Sequence, residues 1–258
     1  ISFQGVHDLE NILMICSKGG VVMGEDLLKV AETLRAARKL RKLIFDQLIR
    51  PRLSELLVDI ATLPDLQTLL EFGLDEGGRI ADRASPKLSE LRRHANSVRL
   101  QRKDILQDTL KKFSGLLQDN IVSERYGRPV LAFKAGTSDQ VSGIVHDSSA
   151  SGNTIYVEPQ AVISIGNRLA KIDSEISDEE RRLLANWSKE VGINANVIAH
   201  LGEILVQIEF ALARARYSKW LNGVPVILEE EENTLFEIKE FRHPLLVWND
   251  FHEKKHTV

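Results

Sequence analysis

A mainly α-helical chain is predicted: a helical core bundle, two long antiparallel helices, a small antiparallel β insertion between them, and a short β segment that starts a following domain. Three observations carry that prediction. Apolar residues recur at three- and four-residue spacing over most of the 258 residues, which is the period of one helix face. Aromatic residues are only 6% of a chain that is 43% hydrophobic, so the core is built from Leu, Ile, Val and Ala. Strand and turn signals concentrate in one stretch near residues 129–158, the only clear β region, and 16 Gly with 7 Pro are too few for an all-β protein dense in turns.

The elements follow in order. Leu9, Ile12 and Leu13 start a helical pattern that Gly19 and Gly20 close, and Gly24-Glu25-Asp26 opens a longer one through Leu27, Val30, Leu34, Leu40 and Phe45. Pro51 interrupts it; Leu53, Leu56, Leu57 and Ile60 continue, and Pro64 starts a short helix through Leu69 and Leu70, which completes a helical core over 1–84. Ser85 fits an N-cap with Pro86 at the first helical position, where a missing N–H costs nothing. From there Leu88, Leu91, Ala95, Val98, Arg102 and Ile105 form a seam with one polar member, which passes to Leu110, Phe113 and Leu117. A continuous helix to Gln118 would be a rod of roughly 50 Å, inside a first long-helix region assigned to 85–125. Strands at 129–133, 141–145 and 154–157 make an insertion over 126–159. Val162, Ile165, Leu169, Ile172 and Ile176 set a second long helix over 160–192, and a returning core helix fills 193–222. Beyond it, 223–258 reads as a hairpin around the acidic run 229–232 that begins another domain.

Net charge is −3, from 34 basic and 37 acidic residues, but the charge is unevenly placed. Eight basic residues face two acidic ones over 29–52, and eight face three over 87–112, whereas Asp173, Glu175, Asp178, Glu179 and Glu180 make the second long helix acidic. An acidic helix beside a basic one pairs antiparallel. The basic stretches read either as wet faces of amphipathic helices whose Arg stems cover the core, or as an electrostatic surface for nucleic acid. The candidate contacts are Arg92, Arg99, Arg102, Lys103 and Lys111 on the first long helix, with Arg125, Arg128 and Lys134 in and just before the inserted sheet.

Other chemistries find little support. Cys16 is the single cysteine, which excludes an internal disulfide and a multi-cysteine zinc site. No run approaches the ~20 apolar residues of a membrane helix, and the first residues carry no signal-peptide pattern. No Gly-rich phosphate loop occurs. His252-Glu253-Lys254-Lys255-His256 matches a zinc-hydrolase spacing by letter, but no helical pattern surrounds it and no third ligand is evident, so it reads as a polar tail. His146-Asp147 beside Ser148, Ser149 and Ser151 invites a catalytic triad, yet neighbours at a strand end rarely converge as nucleophile and base. No catalytic residue and no metal ligand is assigned.

Several segments together resemble a known family. Gly78-Arg79-Ile80-Ala81-Asp82-Arg83-Ala84-Ser85 resembles the entry to the lever helix in the type-two branch of the MutS family, with Gly77 where that pattern has an Asp. Residues 117–130, from Leu117-Gln118-Asp119 to Arg128-Pro129-Val130, also fit. So does Gly143-Ile144-Val145-His146-Asp147 through Thr154-Ile155-Tyr156-Val157-Glu158-Pro159, with Tyr-Val where the family has Phe-Ile. Arg242-His243-Pro244-Leu245-Leu246 is similar to the segment that precedes the family's ATPase. The resemblance implies a core, two levers and a clamp taken from a longer ATP-driven protein that uses ATP and Mg, dimerises through its ATPase domain and in many cases carries a C-terminal Smr endonuclease domain. It implies binding of branched DNA to suppress recombination, or recognition and splitting of collided ribosomes through ribosomal RNA. It also implies a bacterial cytoplasmic or a plastid location, with no membrane. Without the resemblance, a purely structural helical scaffold with no nucleic-acid contact remains the competing reading.

Overall fold

Helices dominate wherever the apolar residues keep a three- to four-residue period. The computed structural model describes residues 2–45, 55, 60–137, 140–226, 238 and 241–253. Among these are seven α-helices and one four-stranded antiparallel sheet. The chain divides into two compact units. The larger takes Leu9–Glu32 and Leu63–Ala195; the other takes Ile1–Asp8, Thr33–Thr62 and Asn196–Val258.

In the larger unit, α1 (Glu10–Ser17) and the first turns of α2 (Gly24–Phe45) precede α3 (Pro64–Gly73), a 3-10 turn at Asp82–Ala84, and the long helix α4 (Pro86–Lys112). Ser85 caps α4 as expected: its backbone is extended, its Oγ accepts from the Leu88 N–H at 3.4 Å, and Pro86 follows at the first helical position. The second long helix, α5 (Gln160–Ile193), lies antiparallel to α4. Ala95, Val98 and Leu106 of α4 are buried against Val162, Ile165, Leu169 and Ile172 of α5, with Leu91, Ile105 and Ile176 at the margin. Each Val, Leu or Ile side chain so buried contributes about 1.5–3 kcal/mol. Opposite charges then set the pairing: Arg99 meets Asp173 at 2.7 Å and Arg92 meets Glu180 at 2.7 Å. Two glycines set close approaches at this base. A methyl on Gly73 would overlap the Trp187 ring, and one on Gly24 would overlap the Gly78 carbonyl.

Between the long helices the chain makes β1 (Leu117–Arg125), β2 (Arg128–Lys134), β3 (Gly143–Ser148) and β4 (Thr154–Pro159), in the order β1-β2-β4-β3. Val122 opposes Leu131, Leu131 opposes Val157, and Val145 opposes Val157. Leu117, Leu131, Phe133, Val141 and Val157 form its core, closed by Leu110 and Phe113 from the end of α4. Here the structure corrects the expected boundary at 125 and the count of three strands. The helix stops at Lys112, and residues 117–125 are an edge strand of the sheet. The same apolar residues that kept the helical period serve the sheet instead: the Phe113 ring meets the Phe133 ring edge-on at 5.9 Å, and Leu117 opposes Phe133 across the strands.

The other unit holds the rest of α2, α6 (Ala195–Leu221) and α7 (Pro244–Glu253). Leu34, Ala37, Leu40 and Ile44 of α2 and Ile198, Leu201, Leu205 and Ile208 of α6 are buried. Arg41 donates to the Ile60 carbonyl at 3.2 Å. Contrary to the expectation that no run is apolar enough, α6 could cross a membrane by length and composition, the only such helix among the described residues, with mean hydropathy 1.3 over its best window. One side of it is buried, through Ile198, Leu201, Ile204, Leu205 and Ile208, while Val206, Phe210 and Tyr217 are exposed. Arg242-His243-Pro244 leads into α7, with Pro244 first in the helix and the Leu246 N–H donating to the His243 carbonyl. His252 and Glu253 fall in the last turn of α7, a helical setting that the sequence did not show, while Lys254, Lys255 and His256 lie outside the described residues. So do Leu53, Leu56 and Leu57, and most of the expected hairpin at 226–238.

Candidate nucleic-acid interface

A cation contacts a polyanion only if the fold leaves it uncompensated, and the eight candidates divide on that point. Arg92 is turned inward. Its Nη1 donates to the Ile80 carbonyl at 2.9 Å and to Asp82, and its Nη2 donates to Glu180. Arg99 donates to Asp173 at 2.7 Å and to Asn96 at 3.1 Å. Arg125 lies over the Tyr156 ring at 4.0 Å with its Nε 3.3 Å from Asp147. Arg128 donates to Asn167 at 2.9 Å and reaches buried Glu158 at 3.4 Å. All four guanidinium groups hold the fold together.

The other four keep their charge available. Lys103 is exposed and Arg102 half-buried, and neither has a carboxylate partner among the described residues. Lys111 stands 3.8 Å from Asp108 with both side chains about four-fifths exposed. Lys134 donates to the Gly115 carbonyl at 3.2 Å and has no carboxylate partner among the described residues. The structure adds Arg93, exposed and without a carboxylate partner among the described residues. Arg93, Leu100 and Lys111 share the outward face of α4 at a rotation of about 100° per residue, with Asp104 between them, while Lys103, four residues after Arg99, lies nearer the side that carries Arg92 and Arg99. That face runs roughly 27 Å from Arg93 to Lys111. Sequence reasoning counted Arg93 as charge but not as a contact. The signal that separates it from Arg92 is the rotation of about 100° per residue: the seam at Leu91, Ala95 and Val98 brings Arg92 beside α5 and turns Arg93 away.

The base of the α4–α5 pair is a closed polar network. Ser85 Oγ donates to Glu179 at 2.8 Å, Arg182 donates to both Glu179 oxygens at 2.7 and 3.0 Å, and Lys87 stands 3.5 Å away. The Arg182 hydrogen bonds first, then Ser85 and Lys87, hold the buried Glu179 carboxyl down at about 2, against burial that alone would raise it. Asp75 pairs with Arg83 at 2.8 Å. The motif around Gly78–Ser85 is therefore occupied by structural contacts.

The other motif is also accounted for within the fold. His146 Nε2 sits 2.9 Å from Glu158, not against a serine, and the Asp147 carboxylate accepts the Ser148 N–H. Ser149 Oγ accepts the Thr154 N–H. The triad geometry does not form. Nucleotide and metal fare no better here. In the Gly77–Gly78 turn, Gly78 is packed against the start of α2, while Gly77 faces open space. Among the described residues no three His, Cys, Asp or Glu side chains group as metal ligands. These residues do not fit ATP or Mg.

No family model matches the chain. It is similar to curated proteins named endonuclease MutS2: 39% identical over 247 residues to one from Synechocystis sp., covering 95% of this chain and 30% of that protein. To the protein of the same name from Pelotomaculum thermopropionicum it is 36% identical over 245 residues, covering 94% and 31%. To that from Streptococcus mutans it is 31% identical over 263 residues, covering 99% and 33%. The chain thus spans about 30% of the length of the curated relatives it matches.

Proposed function

We propose that this chain, which belongs to the type-two branch of the MutS family, is the nucleic-acid-holding arm of an ATP-driven clamp. The observation that supports the reading is the outward face of α4. Arg93 there, and Lys103 beside it, have no carboxylate partner among the described residues, and Lys111 has only a solvated Asp108 at 3.8 Å, while Arg92 and Arg99 on the same helix are neutralised by α5. An exposed row of cations adds little to folding and attracts a polyanion by releasing its counterions. The partner in this reading is branched DNA, held to suppress recombination, or ribosomal RNA on a collided ribosome. The site of action is the cytoplasm or a plastid. ATP, Mg, dimerisation and the endonuclease activity in the relatives' name belong, in this reading, to the part of such proteins that this chain does not span.

The test is binding of the chain to a four-way DNA junction, a linear duplex and purified ribosomes at two salt concentrations. Tight, salt-sensitive binding is expected, and the ranking names the partner. Absence of binding at low salt would overturn the reading in favour of a scaffold. The scaffold alternative has its own support in the four arginines committed to internal contacts.

A further inference from the structure

The turn between β1 and β2 has two central residues, Tyr126 and Gly127, both at positive φ (52° and 74°), between the opposed pair Arg125 and Arg128. That is the combination of a type I′ hairpin turn, which Asn, Asp and Gly fill by preference because a Cβ crowds the backbone there. A tyrosine occupies the strained position, and the residue is 84% exposed. No hydrogen bond or ring contact holds that ring among the described residues. The flanking residues behave in the opposite way. Arg125 is pinned over Tyr156 beside Asp147, and Arg128 is tied to Glu158 in β4 and Asn167 in the second turn of α5. The hairpin end is thus fastened on both sides while the ring between the fasteners is held out to solvent. Exposing an aromatic ring on a disfavoured backbone gives the fold nothing. A ring carried on a fastened backbone position gives up only its own side-chain rotation when it meets a flat partner.

We infer that Tyr126 is a stacking platform for an unstacked nucleobase. Any base offers a π-face, so such stacking tolerates sequence. Inside a continuous duplex both faces of every base are taken, whereas a branch point, a gap or an RNA loop leaves one free. The inference rests on the nucleic-acid reading above and gives it a means of telling branched from continuous strands.

The test places 2-aminopurine, whose fluorescence falls on stacking, in three probes: the unpaired gap of a branched DNA, the loop of an RNA hairpin, and the interior of a linear duplex. The 258-residue chain is expected to quench the gap or loop probe and not the duplex, and the arm that responds names the source of the base. Tyr126→Asn puts a residue favoured in this turn at that position, so the melting temperature should hold while the quench disappears and affinity for the responding probe falls about tenfold. Tyr126→Trp should retain both. Equal quenching by the wild-type chain and Tyr126→Asn would overturn the inference and leave the nucleic-acid reading standing. No binding of any probe by the wild-type chain at low salt would overturn both.

Discussion

At the base of the α4–α5 pair, Ser85, Lys87 and Arg92 meet Glu179 and Glu180, and every charge in the cluster has a partner. Farther round and farther along the same α4, Arg93 and Lys103 have no carboxylate partner among the described residues, and Lys111 has only a distant, solvated one. The two regions draw on the same residue types from the same basic stretch, one of them separated from its opposite by a single position. The difference teaches that charge density along a helix does not locate a binding surface. What locates it is the charge left over after the neighbouring helix has taken its share.

The comparison breaks most visibly at the base, where packing carries the energy. Trp187 is buried in α5 and fills the space left by Gly73 of α3. Trp187→Ala should cost about 4 kcal/mol and lower the melting temperature by roughly 10 °C. A shift of less than about 3 °C in calorimetry would mean that the base is not where the larger unit is held.

The next effect separates the polar network from the packing around it. Glu179 has a folded value near 2, below the ordinary 4.5 of the unfolded chain. Its contribution is therefore fully present above about pH 4.5 and is lost as pH falls toward 2. Arg182 and Lys87 are each more than half exposed, so water screens the cluster, and about 1–2 kcal/mol is the expected loss. Denaturant unfolding at pH 7 and pH 3 should show Glu179→Gln losing that much at pH 7 and the difference from wild type shrinking at pH 3. An equal difference at both values would rule out the carboxylate charge as the cause.

The two regions also differed in how much of them was legible from the residues. The cap at Ser85-Pro86 and the apolar seams of α4 and α5 read directly, because one period and one cap residue set each of them. β1 did not. Gln118, Asp119, Asn120 and Ile121 are all exposed on an edge strand, so no alternation of apolar and polar residues marks it, and Leu110, Phe113 and Leu117 keep a helical spacing while serving the sheet core. The candidate site was legible only as charge. Arg125 and Arg128 carry nothing in the sequence that announces Tyr156, Glu158 or Asn167, because those contacts are made by residues about 30 to 40 positions away.

At the exposed lysines of α4 the expected change is in binding alone. Lys103→Glu with Lys111→Glu should leave stability within about 0.5 kcal/mol of wild type. The dependence of log affinity on log salt should flatten by about one for each phosphate contact removed, so by about two for the pair. A titration of the four-way junction or of ribosomes at several salt concentrations reads this directly. An unchanged slope would remove α4 from the interface.

Arg99 supplies the smallest effect and the sharpest control. It lies four residues before Lys103 on the same basic helix, but its guanidinium is spent on Asp173, in a pair whose two side chains are both nearly half exposed. Such a pair is worth about 0.2–1 kcal/mol, so Arg99→Ala should lower stability by no more than that. Its effect on the salt dependence of binding should be nil, because the charge it removes was already balanced. Asp173→Ala extends the argument, since it frees the Arg99 charge without adding a residue and should steepen the salt dependence slightly. If Arg99→Ala instead flattened the slope as much as a substitution at Lys103, the division between compensated and uncompensated cations would be wrong, and the whole basic run of α4 would have to count as contact surface.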